Sequence, residues 1–210
     1  MKPSRRHQVH SFVRWNSWAF LLVLALILSG PFVGLSPAAL VDPPPASHSL
    51  YVGFLTHTMQ IFCAVPAIAC ALSFALLRTL QPERRGNAFL FGSALVTGGL
   101  MANEIFRIHT FLGFVAGTPK WATILGYSTL VLVYGLGFRR RWRSTPYGLL
   151  LAAGCLFVVA WAMDSHLLGE NVSPLLEGVP KFFSFLNLAL YFWLVCRQEV
   201  LEHRFRNLSS

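Results

Sequence analysis

LYVGFLTHTMQIFCAVPAIACALSFALL (residues 50–77) contains no Asp, Glu, Lys or Arg. Its apolar residues form one run. They do not alternate at period two, as in a half-buried strand, or keep to the narrow stripe of a soluble helix. A helix rises 1.5 Å per residue, so about 20 residues cross a ~30 Å hydrocarbon core. The stretch therefore reads as a transmembrane helix. Pro66 inside it has no N–H and frees the carbonyl of Phe62, which predicts a kink.

Five more apolar runs lie near 17–35, 88–106, 121–138, 147–163 and 182–196. The expected fold is all-α: a polytopic transmembrane helical bundle of six spans, with both termini on the same side. Residues 1–16 and 197–210 read as basic cytoplasmic tails, and 17–196 as the bundle. Composition agrees. Hydrophobic residues make up 55% of the chain and charged residues 12%, against roughly 25% charged in an average soluble domain. Mean hydropathy is +0.57. A soluble chain this apolar would lack polar surface to cover itself. A membrane barrel would show only weak alternation.

The net charge of +9 is distributed by side. Lys2, Arg5, Arg6 and Arg14 precede the first run. Arg78, Arg84 and Arg85 separate the second from the third. Arg139, Arg140, Arg141 and Arg143 separate the fourth from the fifth, and Arg197, Arg204 and Arg206 follow the sixth. Only Arg107, Lys120 and Lys181 belong to the alternate loops. This positive-inside pattern places both termini in the cytoplasm and accounts for the basic charge without nucleic acid. The first run has a second reading, as a signal peptide ending near LSPAAL (35–40). Its long basic start favours a retained span. VDPPPASHS (41–49) reads as an extended, polyproline-like outer loop.

Smaller signals refine this plan. Thr118 and Thr145, each followed by Pro, are expected to cap helices that begin at Pro119 and Pro146. Ala94, Gly98 and Ala102 form a small-xxx-small strip, expected to be a close packing face. Cys63, Cys70, Cys155 and Cys196 lie inside spans, outside any CxxC motif, and read as small apolar residues. Asn187 is expected to make one interhelical hydrogen bond.

The outer side holds the residues that need a role: Asp42, His48, Glu104, Arg107, His109, Lys120, Asp164, His166, Glu170, Glu177 and Lys181, with His57 near the start of the second span. LMANEIFRIHTFLG (100–113) concentrates several of them. Glu104 and His109 are about 140° apart on an ideal helix and share a face only if the helix ends between them. Glu104 and Arg107 are placed for a local pair, and Glu177 precedes Lys181 by four, the favourable order for a helical ion pair. Pro180 fits best as the first residue of the sixth helix. No G-x-S-x-G elbow, P-loop or dinucleotide fingerprint occurs. No buried chain of acids marks a proton path.

At NEIFRIH (103–109), AWAMDSH (160–166) and LLEGVPKFF (175–183) the chain resembles a family of uncharacterised bacterial multi-spanning membrane proteins. In that family an acidic pair and a His close one span, an Asp ends a later one, and an LE-x-x-x-K segment opens the last. The matching positions are Glu104, His109, Asp164, Glu177 and Lys181, over roughly the last half of the chain. Asn103 replaces the first acid, and Thr110 stands where a second acid often follows the His. The resemblance implies an outward polar cluster in a bacterial inner (plasma) membrane, with no known activity.

Three function classes fit these residues. In the first, the chain is a non-enzymatic subunit, assembly factor or ligand-binding module. Glu104, Arg107, Asp164, Glu177 and Lys181 then form interhelical ion pairs, and the partners are the lipid bilayer and other membrane subunits. In the second, it is a metal-dependent hydrolase of a lipid or lipid-linked substrate. His57, His109 and His166 then supply imidazoles, with Glu104 or Asp164 as the carboxylate. In the third, it is a haem electron carrier with His57 and His109 as axial ligands. The absence of a recognised catalytic motif favours the first. The sequence names no cofactor.

Overall fold

The computed structural model describes residues 5–41, 51–83, 86–142, 145–164 and 173–208. His48, His166, Glu170 and most of VDPPPASHS lie outside the described residues, as do the side chains of Asp164 and Lys120. All regular structure among the described residues is helical, as expected. The α-helices are α1 (Arg5–Ser29), α2 (Phe54–Leu80), α3 (Gly86–Phe106), α4 (Ile108–Ala116), α5 (Lys120–Gly137), α6 (Arg139–Trp142), α7 (Tyr147–Asp164) and α8 (Pro174–Leu208). Two 3-10 turns, Gly30–Val33 and Pro37–Leu40, follow α1.

Four segments are long and apolar enough to cross a membrane: Val13–Phe32, Phe54–Leu80, Gly86–Phe106 and Pro174–Leu201. By length and composition the described residues thus supply four such segments where six were expected. The apolar parts of α5 and α7, Trp121–Gly137 and Tyr147–Met163, are shorter. At 1.5 Å per residue each rises about 25 Å, less than a ~30 Å core. Pro119 bounds α5 on one side. At the other end, Phe138 N–H closes on the Tyr134 carbonyl at 3.0 Å.

The chain divides into two compact units. The first comprises residues 1–59 and 148–187. A cap in this unit is built from the chain after α1. Gly34 adopts a left-handed φ of 69°, which lets Leu35 N–H return to the Gly30 carbonyl at 3.0 Å. The second 3-10 turn buries Leu40 completely. Gly53 N–H then donates to the Ala39 carbonyl at 2.8 Å, and the Thr56 hydroxyl to the Val41 carbonyl at 2.7 Å. Val41 packs on Gly178 so closely that a Cβ there would lie 2.6 Å from Val41 Cγ1. Tyr51 donates its hydroxyl to the Leu26 carbonyl at 3.2 Å, fastening the cap to α1. Deeper in the unit, Ser184 on α8 donates to the Ala153 carbonyl of α7 at 2.8 Å, and Phe157 meets Phe185 edge to face. Asn187 bonds Asn16 of α1, so its expected interhelical bond is present.

The second unit comprises residues 60–147 and 188–210. Its core sets Phe89 and Ser93 of α3 against Tyr134 of α5. The Ser93 and Tyr134 hydroxyls are 2.6 Å apart, and Phe89 contacts both Tyr134 and Phe138. Trp142 folds back over Gly135, where a Cβ would lie 2.7 Å from the indole ring. The close face of α3 is therefore the one through Phe89, Ser93, Val96 and Thr97, all buried. The small-xxx-small strip is not the tight contact it was expected to be: among the described residues, a Cβ on Gly98 would meet nothing within 4 Å.

Three helix starts also differ from expectation. α5 begins at Lys120, with Pro119 as an extended N-cap residue and no side-chain cap. Thr145 does not cap α7. Its hydroxyl donates to the Trp142 carbonyl at 2.7 Å and lies 3.0 Å from the Tyr191 hydroxyl of α8. α8 begins at Pro174, so Pro180 lies inside it. Proline suits Pro174 because the first helical N–H has no intrahelical acceptor.

Candidate functional site at the α3–α4 junction

The junction follows from one backbone residue. Arg107 takes φ 49° and ψ 46° and is the non-glycine residue with positive φ among those described. A left-handed residue ends a right-handed helix, and it costs a non-glycine residue about 1–2 kcal/mol. Helix α3 thus stops at Phe106, between Glu104 and His109, which meets the condition that the 140° spacing imposed.

Asn103 then reaches across the break. Its Oδ1 accepts the backbone N–H of His109 at 3.1 Å and lies 3.2 Å from His109 Nδ1. The helix α4 has no side-chain cap from Arg107 itself, so Asn103 satisfies one of its open N–H groups from the preceding helix. The backbone N–H only donates, which assigns the facing amide atom as oxygen. An oxygen there requires His109 Nδ1 to donate as well. In the neutral imidazole the proton is therefore on Nδ1, and Nε2 is the basic nitrogen.

Helix α4 turns His109 inward. Ile108, His109, Leu112 and Gly113 are half-buried, whereas Thr110, Phe111, Phe114 and Val115 are exposed. The helix contacts both α3 and α5. Gly117, at φ 62°, ends it, and Thr118 N–H donates to the Leu112 carbonyl at 3.3 Å. Glu104 is half-buried and Arg107 exposed. Both Glu104 and His109 are engaged by neighbours.

The other expected site residues belong to the first unit. His57 is exposed on the first turn of α2. Glu177 and Lys181 are half-buried, one turn apart near the start of α8. This corrects the expectation that Pro180 would begin the helix and leave Glu177 in a turn before it. Each of these three is engaged by a neighbour. Asp164 is the last residue of α7. Among the described residues, no group of three or more His, Cys, Asp or Glu side chains is arranged to hold a metal ion.

Sequence reading missed α4 and the role of Asn103. Helix α4 had a signal: Ile108, Phe111, Leu112 and Val115 recur at i, i+3, i+4 and i+7. In the sequence, Asn103 stands out only as an amide where the resemblance expects an acid.

The sequence profile of a domain of unknown function (DUF8692) matches residues 18–196. No curated protein and no solved structure matches the chain.

Proposed function

The chain belongs to the DUF8692 family, and on that premise we propose that it is a non-enzymatic multi-pass membrane protein: a subunit, assembly factor or ligand-binding module presenting an ordered polar corner on its outer side. The observation that carries this reading is the Asn103–His109 pair. Asn103 is one partner of His109, and its amide oxygen is shared with the first turn of α4. That sharing makes the ring part of the local structure of the helix break.

The membrane is a bacterial inner membrane, and both termini face the cytoplasm. The charge on α6 supports this orientation. Arg139, Arg140 and Arg141 lie between α5 and α7, and the positive-inside rule puts them on the side of the termini. Helices α5 and α7 then cross as well, giving six spans. The short apolar length of α5 is extended by Trp121 at one end and by Arg139 at the other. Such side chains reach the headgroup level while their backbone stays below it.

Purification in mild detergent from haem-replete cells tests the assignment. The expected preparation is colourless and holds no stoichiometric zinc, iron or manganese. A Soret band would overturn the reading in favour of an electron carrier, and a stoichiometric metal in favour of a metalloenzyme.

A further inference from the structure

Two of the four cysteines meet in the second unit. Cys70 of α2 and Cys196 of α8 are 0% and 5% exposed, and Cys196 donates its S–H to the Cys70 sulfur at 3.6 Å. The Ser93 hydroxyl of the same unit is committed elsewhere, donating to the Phe89 carbonyl at 2.7 Å. Cys63 is also buried, whereas Cys155 is exposed on α7. A buried thiol ordinarily behaves as a small apolar residue. Two thiols in contact have a further option, because their sulfurs already lie close enough to be joined by a small movement.

We propose that Cys70 and Cys196 are a reversible modification site, a dithiol that closes to a disulfide joining α2 to α8. The two S–H bonds break and one S–S bond forms. Two electrons and two protons leave and reduce a lipid-soluble quinone to its hydroquinone. A quinone is the class of oxidant that fits, because both sulfurs are buried among apolar side chains and an uncharged, apolar oxidant reaches them through a local opening of α2 from α8 at the lowest desolvation cost. The sulfurs close the remaining distance by side-chain rotation and a small helix shift. The bond spans 126 residues of chain, so it removes much of the freedom of the unfolded state.

The full-length protein in detergent tests this with duroquinone, whose fully substituted ring leaves no position for thiol addition. After treatment the protein is denatured, alkylated with a maleimide and weighed. The wild type is expected to fall from four labels to two and to regain both after dithiothreitol. Its fragments should include the Cys70 and Cys196 peptides joined, lighter by two hydrogens. Cys70→Ser and Cys196→Ser should each keep all three of their labels. The double variant C63S/C155S, which leaves the pair untouched, should fall from two labels to none without forming a dimer. It keeps the test decisive if either single variant fails to fold. Four labels retained in the wild type, or both retained in C63S/C155S, would overturn the proposal. So would a linked peptide containing Cys63 or Cys155.

Discussion

The side-chain amides of Asn16 and Asn187 form a reciprocal pair. Each Nδ2 donates to the other's Oδ1, at 3.0 and 2.9 Å. Asn187 also donates to the Phe183 carbonyl one turn back, at 2.8 Å. Val13–Phe32 is the least buried of the four long apolar segments, and these two bonds tie it to α8. Interhelical hydrogen bonds in membranes average ~0.6 kcal/mol and reach about 1–2. Asn187→Ala is expected to cost about 1–2 kcal/mol, and Asn16→Ala nearly as much. The double variant should cost scarcely more than either single one. Thermal unfolding of the four proteins in detergent measures the coupling; additive losses would show that the pair does not act as a unit.

The strain at Arg107 gives a second expectation. Glycine takes φ 49° without a Cβ penalty, so Arg107→Gly should stabilise the protein by up to about 1 kcal/mol. Arg107→Val should destabilise it by more, since a β-branched residue is a poorer fit to that region. A lower melting temperature for the glycine variant would contradict the left-handed assignment.

The tautomer of His109 is directly observable. Nitrogen NMR of the neutral ring should show the proton on Nδ1. Replacing Asn103 by Asp supplies a carboxylate in the same place, which favours the charged imidazole and raises the titration midpoint of His109. A raised folded-state value contributes stability that is fully present below the ordinary His range and fades as pH rises through the new midpoint. The N103D protein should therefore gain stability relative to N103A on the acid side only. A midpoint unchanged between wild type and N103D would separate the two side chains.

Glycines discriminate tight contacts from open ones. Gly178→Ala would press a methyl group onto Val41, a short β-branched side chain that cannot swing away, and should cost about 1–3 kcal/mol. Gly98→Ala meets nothing within 4 Å and should be neutral or slightly stabilising. The same unfolding assay ranks them, and a reversed order would contradict the packing.

Burial raises the Tyr51 phenol above its ordinary range, in keeping with a hydroxyl that donates to a carbonyl. Its contribution is intact below about pH 10, the unfolded value, and is lost as pH rises through the folded one. In an alkaline titration followed by phenolate absorbance, Tyr51→Phe should remove a late-ionising component. Loss of an early component would contradict the assignment.

The helical class was legible because long uncharged runs have few other uses. The runs at 121–138 and 147–163 form helices of 18 residues each, so their shortness was legible in the length of the apolar runs. Pro180 misled. It forfeits the bond to the Leu176 carbonyl, yet neighbours in a membrane protein re-satisfy such groups, and α8 continues through it. At the candidate site, the 104–109 spacing correctly posed the question of a helix end. The answer lay in the φ of Arg107, which no residue preference of arginine announces. The partner of His109 was hidden because an amide six residues away meets it only after the chain has turned.

The unequal lengths of the helices bear on which lipids suit this protein. Helix α2 has 27 residues and rises about 40 Å, while α3 has 21 and rises about 32 Å. No single bilayer thickness matches both. A thick, sterol-like membrane strains the shorter helix, and a thin one tilts the longer helix, each at a fraction of a kcal/mol per Å of mismatch. Acyl-chain length is thus a physical variable to which this protein should respond. Reconstitution in phosphatidylcholines of graded chain length would read that response as a stability optimum at an intermediate thickness.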